Sequence, residues 1–209
     1  MPVPPTGTDH VVSGTLQGRT GAYLTVVDAA SRVRIVTARL PGLLYRISTP
    51  AGSGLAPVVA GRDGRIRAAL RPTGADGPDE VRIVLNREVR WDIRLPSGAG
   101  EQRLDLGRGR IARLDLGACG LVEMRLPPPS GSVRVTFLAP VGTAVVTVSA
   151  VTEVRFDLAE PAGQATTPWP AAGGAVQSPG WPAARDRYTV RARAAVGSLI
   201  VRRSGPEAR

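Results

Sequence analysis

From residue 83 onward, pairs of apolar residues flanking one other residue recur every ten or eleven positions. They are Ile83/Leu85, Ile93/Leu95, Leu104/Leu106, Leu114/Leu116, Met124/Leu126, Val135/Phe137, Val146/Val148 and Phe156/Leu158. Eight consecutive units on one period call for stacked, similar elements that bury a continuous core between them. Ten residues hold one short strand and one corner. The corners are marked by Ser97-Gly98-Ala99-Gly100, Gly107-Arg108-Gly109, Gly117 and Gly120, Pro127-Pro128-Pro129, and Pro140-Val141-Gly142. Helical periodicity is nearly absent, and short alternating runs such as Tyr23 to Val27, Val33 to Thr37 and Gly64 to Leu70 extend the strand-and-turn pattern toward the N-terminus.

Two arrangements suit this period. In a β-solenoid with two strands per coil, each strand pairs with the one after next. In an antiparallel meander or β-sandwich, each pairs with the next. The residues between the apolar pairs are Val84, Arg94, Asp105, Asp115, Arg125, Thr136, Thr147 and Asp157. Two strands per coil set Arg94 beside Asp115 and Asp105 beside Arg125, at the ~4.8 Å strand spacing. A meander with these residues level sets Asp105 against Asp115, and a three-strand coil sets Arg94 beside Arg125; like charges directly opposite are unfavourable. The charge order therefore favours an all-β, β-helix-like solenoid with two short strands per ~21-residue coil, with an antiparallel β-sandwich as the alternative.

The expected organisation is a flexible segment at 1–9, a single β domain at 10–203 and a disordered tail at 204–209. Within the domain, regular repeats span 80–160 and a Pro/Gly/Ala-rich loop spans 160–186. Final strands fill 188–203. The N-terminal third is expected to continue the same body.

Composition removes many chemistries. The chain has 209 residues and one cysteine, Cys119, so it holds no internal disulfide. All 27 basic residues are arginine, which excludes a Walker-type lysine, a Schiff base and a Ser-Lys dyad. His10 is the only histidine, leaving no material for a Ser-His-Asp site or a histidine metal centre. No catalytic, cofactor-binding or metal residue is assigned, and no cofactor is expected. The Ala-, Gly-, Val- and Arg-rich composition matches a high-GC genome. The net charge of +10 still creates a field that attracts polyanions. The aromatic residues are not interleaved with arginine as a base-stacking platform requires, so no specific nucleic-acid role is read. No transmembrane segment or signal peptide is recognised. The expected location is cytoplasmic, or membrane-proximal if the domain follows an anchor.

Three tryptophans, Trp91, Trp169 and Trp181, are the candidate ligand or partner contacts. Trp169 and Trp181 lie in the Pro/Gly/Ala-rich loop, where they either pin it to the body or form a lid over a groove. Trp91 lies near Glu88 and Asp92, and core packing is the simpler expectation for it. The Asp105/Arg125 and Asp115/Arg94 pairs read as a solvated, salt-bridged face.

The unit Leu114-Asp115-Leu116-Gly117-Ala118-Cys119-Gly120-Leu121-Val122-Glu123-Met124-Arg125-Leu126-Pro127 and the segment Ala195-Val196-Gly197-Ser198-Leu199-Ile200-Val201 resemble the repeats of adhesin-like bacterial β-solenoid domains of unknown function. Such domains occur in envelope proteins and cell-wall-stress regulators, and the likeness covers roughly residues 80 to 203. It implies a scaffold or sensing role, often beside a membrane anchor, and supplies no catalytic residues; no anchor is recognised here. Polymerising β-helical proteins such as bactofilins are a second likeness. The functional expectation is a non-enzymatic binding or scaffold domain, with a protein partner or a homo-oligomer and with polyanion binding open. The alternatives are a self-assembling β-solenoid and a carboxylate-based polysaccharide-active enzyme.

Overall fold

The structure, a computed structural model, describes residues 9–172 and 175–205. Strands occupy most of these residues, and no helix occurs among them. The first third contains β1 (His10–Thr15), β2 (Gly21–Val26), β3 (Ala30–Ala38), β4 (Leu43–Thr49), β5 (Leu55–Arg62) and β6 (Arg65–Pro72). The middle contains β7 (Glu80–Asn86), β8 (Arg90–Leu95), β9 (Ala99–Asp105), β10 (Arg110–Leu116), β11 (Cys119–Arg125), β12 (Ser132–Phe137), β13 (Val141–Ser149) and β14 (Glu153–Leu158). The last part contains β15 (Gln164–Thr166), β16 (Ala171–Ala172), β17 (Ala175–Gln177), β18 (Arg187–Ala192) and β19 (Val196–Ser204).

These strands form two large mixed sheets. The first runs β1-β4-β7-β3-β9-β11-β13-β19-β15, and the second runs β16-β17-β14-β18-β12-β10-β8-β2-β6-β5. From β8 to β13 successive strands alternate between the sheets, and each pairs in parallel with the strand after next. Arg94 lies level with Asp115, and Asp105 with Arg125, as the charge order requires. Antiparallel pairing is confined to the margins: β1 and β4 on the first sheet, β5, β16 and β17 on the second.

The core lies between the sheets. Of the paired apolar positions, all are buried except Leu158, which is partly covered. Alternation directs them inward: β8 buries Trp91, Ile93 and Leu95 and turns Arg90, Asp92 and Arg94 outward. The tight turn expected at Gly98 is present, with φ at +75°. A Cβ there would meet the Ala118 carbonyl oxygen at 2.1 Å, so the stacked corner needs glycine for space as well as for backbone conformation.

Two strand pairs depart from chain order. The β2–β3 pair lies between β6–β7 and β8–β9, and β18–β19 lies between β12–β13 and β14–β15. The expected final strands at 188–203 are therefore interior: β18 lies between β12 and β14, and β19 between β13 and β15. Residues 160–186, expected as a loop, contribute β15, β16 and β17 to the sheet margins. Both expected flexible ends lie outside the described residues except for Asp9, Ser204 and Gly205. Ser204 closes β19 level with Ser149.

Candidate functional site

The outer face of the second sheet carries two rows of side chains set by strand register. One row reads Arg65, Tyr23, Asp92, Arg113, Arg134, Thr189 and Arg155. The next reads Arg67, Thr25, Arg94, Asp115, Thr136, Arg191 and Asp157. Because the strands are parallel and regularly spaced, the guanidinium groups start from anchor points ~4.8 Å apart.

Carboxylates bind some of these groups. Asp92 accepts from the Arg94 Nε at 3.1 Å, Asp115 lies 2.7 Å from Arg113 Nη2, and Asp157 accepts from the Arg155 Nε at 2.5 Å. Arg191 stands 3.7 Å from Asp157. Asp115 was expected on a solvated face, yet it is only 3% exposed. Arg94 from β8 and Arg113 from its own strand lie against it, at 3.9 and 2.7 Å, as long amphipathic side chains do.

A cleft opens in this face over β10, β12, β14 and β18. It is lined by Arg113, Arg134, Arg155, Arg187, Arg191 and Trp181, with Asp157 as the one carboxylate. The turn carrying Trp181 is fixed from several sides. The indole Nε1 donates to the Tyr188 carbonyl at 2.8 Å, and the Trp181 carbonyl accepts from Arg187 Nη1 at 3.0 Å. Asp186 accepts from the Gly131 N–H at 2.5 Å, tying the turn to the corner before β12. The guanidinium carbons of Arg187 and Arg155 lie 4.5 and 5.1 Å from the Trp181 ring centre, within cation–π reach.

The three tryptophans occupy different settings. Trp91 is wholly buried in the core, and its Nε1 donates to the Asn86 carbonyl at 2.9 Å. Trp169 is 8% exposed, packs with the core cluster and has Arg203 4.7 Å from its ring centre. It pins its segment to the body. Trp181 is half-buried and borders the cleft. The cleft arginines were not singled out from sequence. Part of the signal was available: Arg113 and Arg134 are 21 residues apart, the same spacing as Arg94 and Asp115. The contribution of β18 was not, because its place in the sheet breaks chain order.

On the other sheet, Arg82, Arg34 and Arg103 stand in one row. There acids stand close by: Glu80 and Glu101 in the neighbouring row pair with Arg32, Glu101 also pairs with Arg103, and Glu123, level with Arg103, pairs with it too. Among the described residues no cluster of three or more His, Cys, Asp or Glu side chains could hold a metal ion.

A solved protein from Clostridium sporogenes ATCC 15579, described as a "putative cell adhesion protein", superposes with a TM-score of 0.77. The match covers 95% of this chain and 100% of that one, at 16% identity. The two chains share a fold. A "putative adhesin" from Bacteroides fragilis NCTC 9343 aligns at 8% identity over 95% of this chain and 100% of its own, with a TM-score of 0.35. No protein-family model matches the sequence, and no curated protein matches it. No helix among the described residues is long and apolar enough to cross a membrane.

Proposed function

We propose that this protein is a non-enzymatic, adhesin-like binding domain of a bacterial envelope. In this reading its body winds as a β-solenoid of two strands per coil, and the outer face of the second sheet meets a macromolecular partner. The observation that carries the reading is the pair of register-fixed rows on that face. Parallel pairing holds their side chains level across many strands, giving a stiff, extended surface that orders little on binding and so loses little entropy. The fold shared with the "putative cell adhesion protein" supports the same role.

The test is a face-blocking experiment. Labelled protein is sedimented with intact bacteria and with isolated cell walls. A bulky maleimide adduct on Thr189→Cys, in the middle of the face, is expected to abolish retention. The same adduct on Thr143→Cys, on the other sheet, is expected to leave retention intact; both variants carry Cys119→Ala. Equal retention of the two adducts, or no retention of the unlabelled protein at any salt concentration, overturns the reading.

A further inference from the structure

We propose that the cleft beside Trp181 is a subsite for the charged groups of an anionic polysaccharide. The inference rests on the binding-domain reading and names the partner's chemistry at that face.

Charge is the first support. Five arginines line the cleft against one carboxylate, Asp157. Arg113 and Arg134 are directly level on neighbouring parallel strands. Like charges in that position repel; Asp92 and Asp115 offset Arg113, whereas Arg134 has Thr189 on its other side and no acid level with it. An oxyanion lying across β10 and β12 would relieve the repulsion.

Unmet hydrogen-bonding capacity is the second, covered in the free protein and reached by an oxyanion as the guanidinium groups turn toward it. The Nε atoms of Arg113 and Arg187 are buried within the cleft lining and have no hydrogen-bond partner among the described residues. Buried donors without partners are costly. A sulfate or carboxylate group matches the guanidinium fork in shape and charge and can accept from two of its N–H groups at once.

Geometry selects a polymer of sugars over a nucleic acid. The arginines run along a row at strand spacing, which suits charges repeated along a chain. Arg155 and Arg187 already occupy positions over the Trp181 ring, where a base would have to stack. Hydroxyl groups beside the arginines, from Ser132 and Thr189, suit polar sugar rings. The cleft exists because β18 is inserted between β12 and β14, so the site is a product of the departure from chain order.

The experiment measures binding of the intact chain to dextran sulfate, polygalacturonate, neutral dextran and single-stranded DNA at fixed ionic strength. Binding to at least one charged polysaccharide, with neutral dextran at least tenfold weaker, is expected. Which of the two binds tells sulfate from carboxylate recognition. Arg134→Glu is expected to weaken this binding at least tenfold, and the milder Arg134→Gln at least threefold. Arg34→Glu, an equal charge change on the other sheet, is expected to change it less than threefold. Equal losses for Arg134→Glu and Arg34→Glu would reduce the effect to net charge and overturn the proposal. So would equal binding of neutral dextran, tighter binding of DNA than of either polysaccharide, or no binding of either charged polysaccharide. Retention on cell walls despite such a result leaves the binding-domain reading standing and removes only the polysaccharide subsite.

Discussion

The phenolic hydroxyl of Tyr188 donates to the main-chain carbonyl of Pro127 at 2.8 Å, and the tyrosine is wholly buried. The bond joins β18 to the corner between β11 and β12. It therefore fastens the inserted strand to a part of the chain about sixty residues earlier. Tyr188→Phe keeps the ring and leaves the carbonyl without its donor. The expected loss is about 1–3 kcal/mol of stability, read as a lower denaturation midpoint in urea. An unchanged midpoint would mean that the bond does not hold the inserted strand.

Gln102 is fully buried, and neither its Nε2 nor its Oε1 has a hydrogen-bond partner among the described residues. It lies level with Val33 and Val122 on the inward side of the first sheet. Replacing both polar atoms with hydrocarbon of similar volume removes a desolvation penalty. Gln102→Leu is expected to stabilise the fold by about 1–3 kcal/mol. A drop in the urea midpoint would show that the carboxamide is satisfied in solution.

Gly98 and Gly131 separate two reasons for glycine. Both have positive φ, at +75° and +77°. A Cβ on Gly131 meets nothing within 4 Å, whereas one on Gly98 meets the Ala118 oxygen at 2.1 Å. Gly131→Ala is expected to cost about 1–2 kcal/mol from the left-handed backbone alone. Gly98→Ala must also force stacked corners apart, and a clearly larger fall in melting temperature is expected. Equal falls would show that the corner relaxes freely.

Burial raises the Cys119 thiol from 9.0 to about 11. The folded state holds this proton more tightly than the unfolded state does. The stability it contributes is therefore full below pH 9.0 and is lost as pH rises toward 11. Between these values Cys119→Ala is expected to flatten the fall of melting temperature with pH. Parallel profiles for the two proteins would refute this. Burial raises Tyr188 in the same direction, so some alkaline slope is expected to remain.

The apolar pairs and the order of charges were sufficient to determine the strand period, the inward face and, from β8 to β13, pairing with the strand after next. Ile93 and Leu95 are buried, and Arg94 lies beside Asp115, because side-chain direction alternates along a strand and opposite charges favour the level position. Short-range pattern also located the corner at Gly98. It did not show that Asp115 is covered, since covering depends on how the side chains of Arg94 and Arg113 lie over the face.

Only the tertiary structure decided which strands neighbour β18, β19, β2 and β3, and with them the cleft. An inward row of Val, Ile and Leu is nearly interchangeable between strands, so periodicity specifies a face without naming a neighbour. Strand length then discriminates. The nine residues of β19 pair with β13 from Val141 to Ser149, while β15 offers only Gln164 to Thr166. At this end of the first sheet the long β19 satisfies more main-chain hydrogen bonds against β13 than β15 could, and the short β15 is left at the margin. With β19 beside β13, the preceding β18 lies between β12 and β14 and brings Arg187 and Arg191 into the cleft with Arg134.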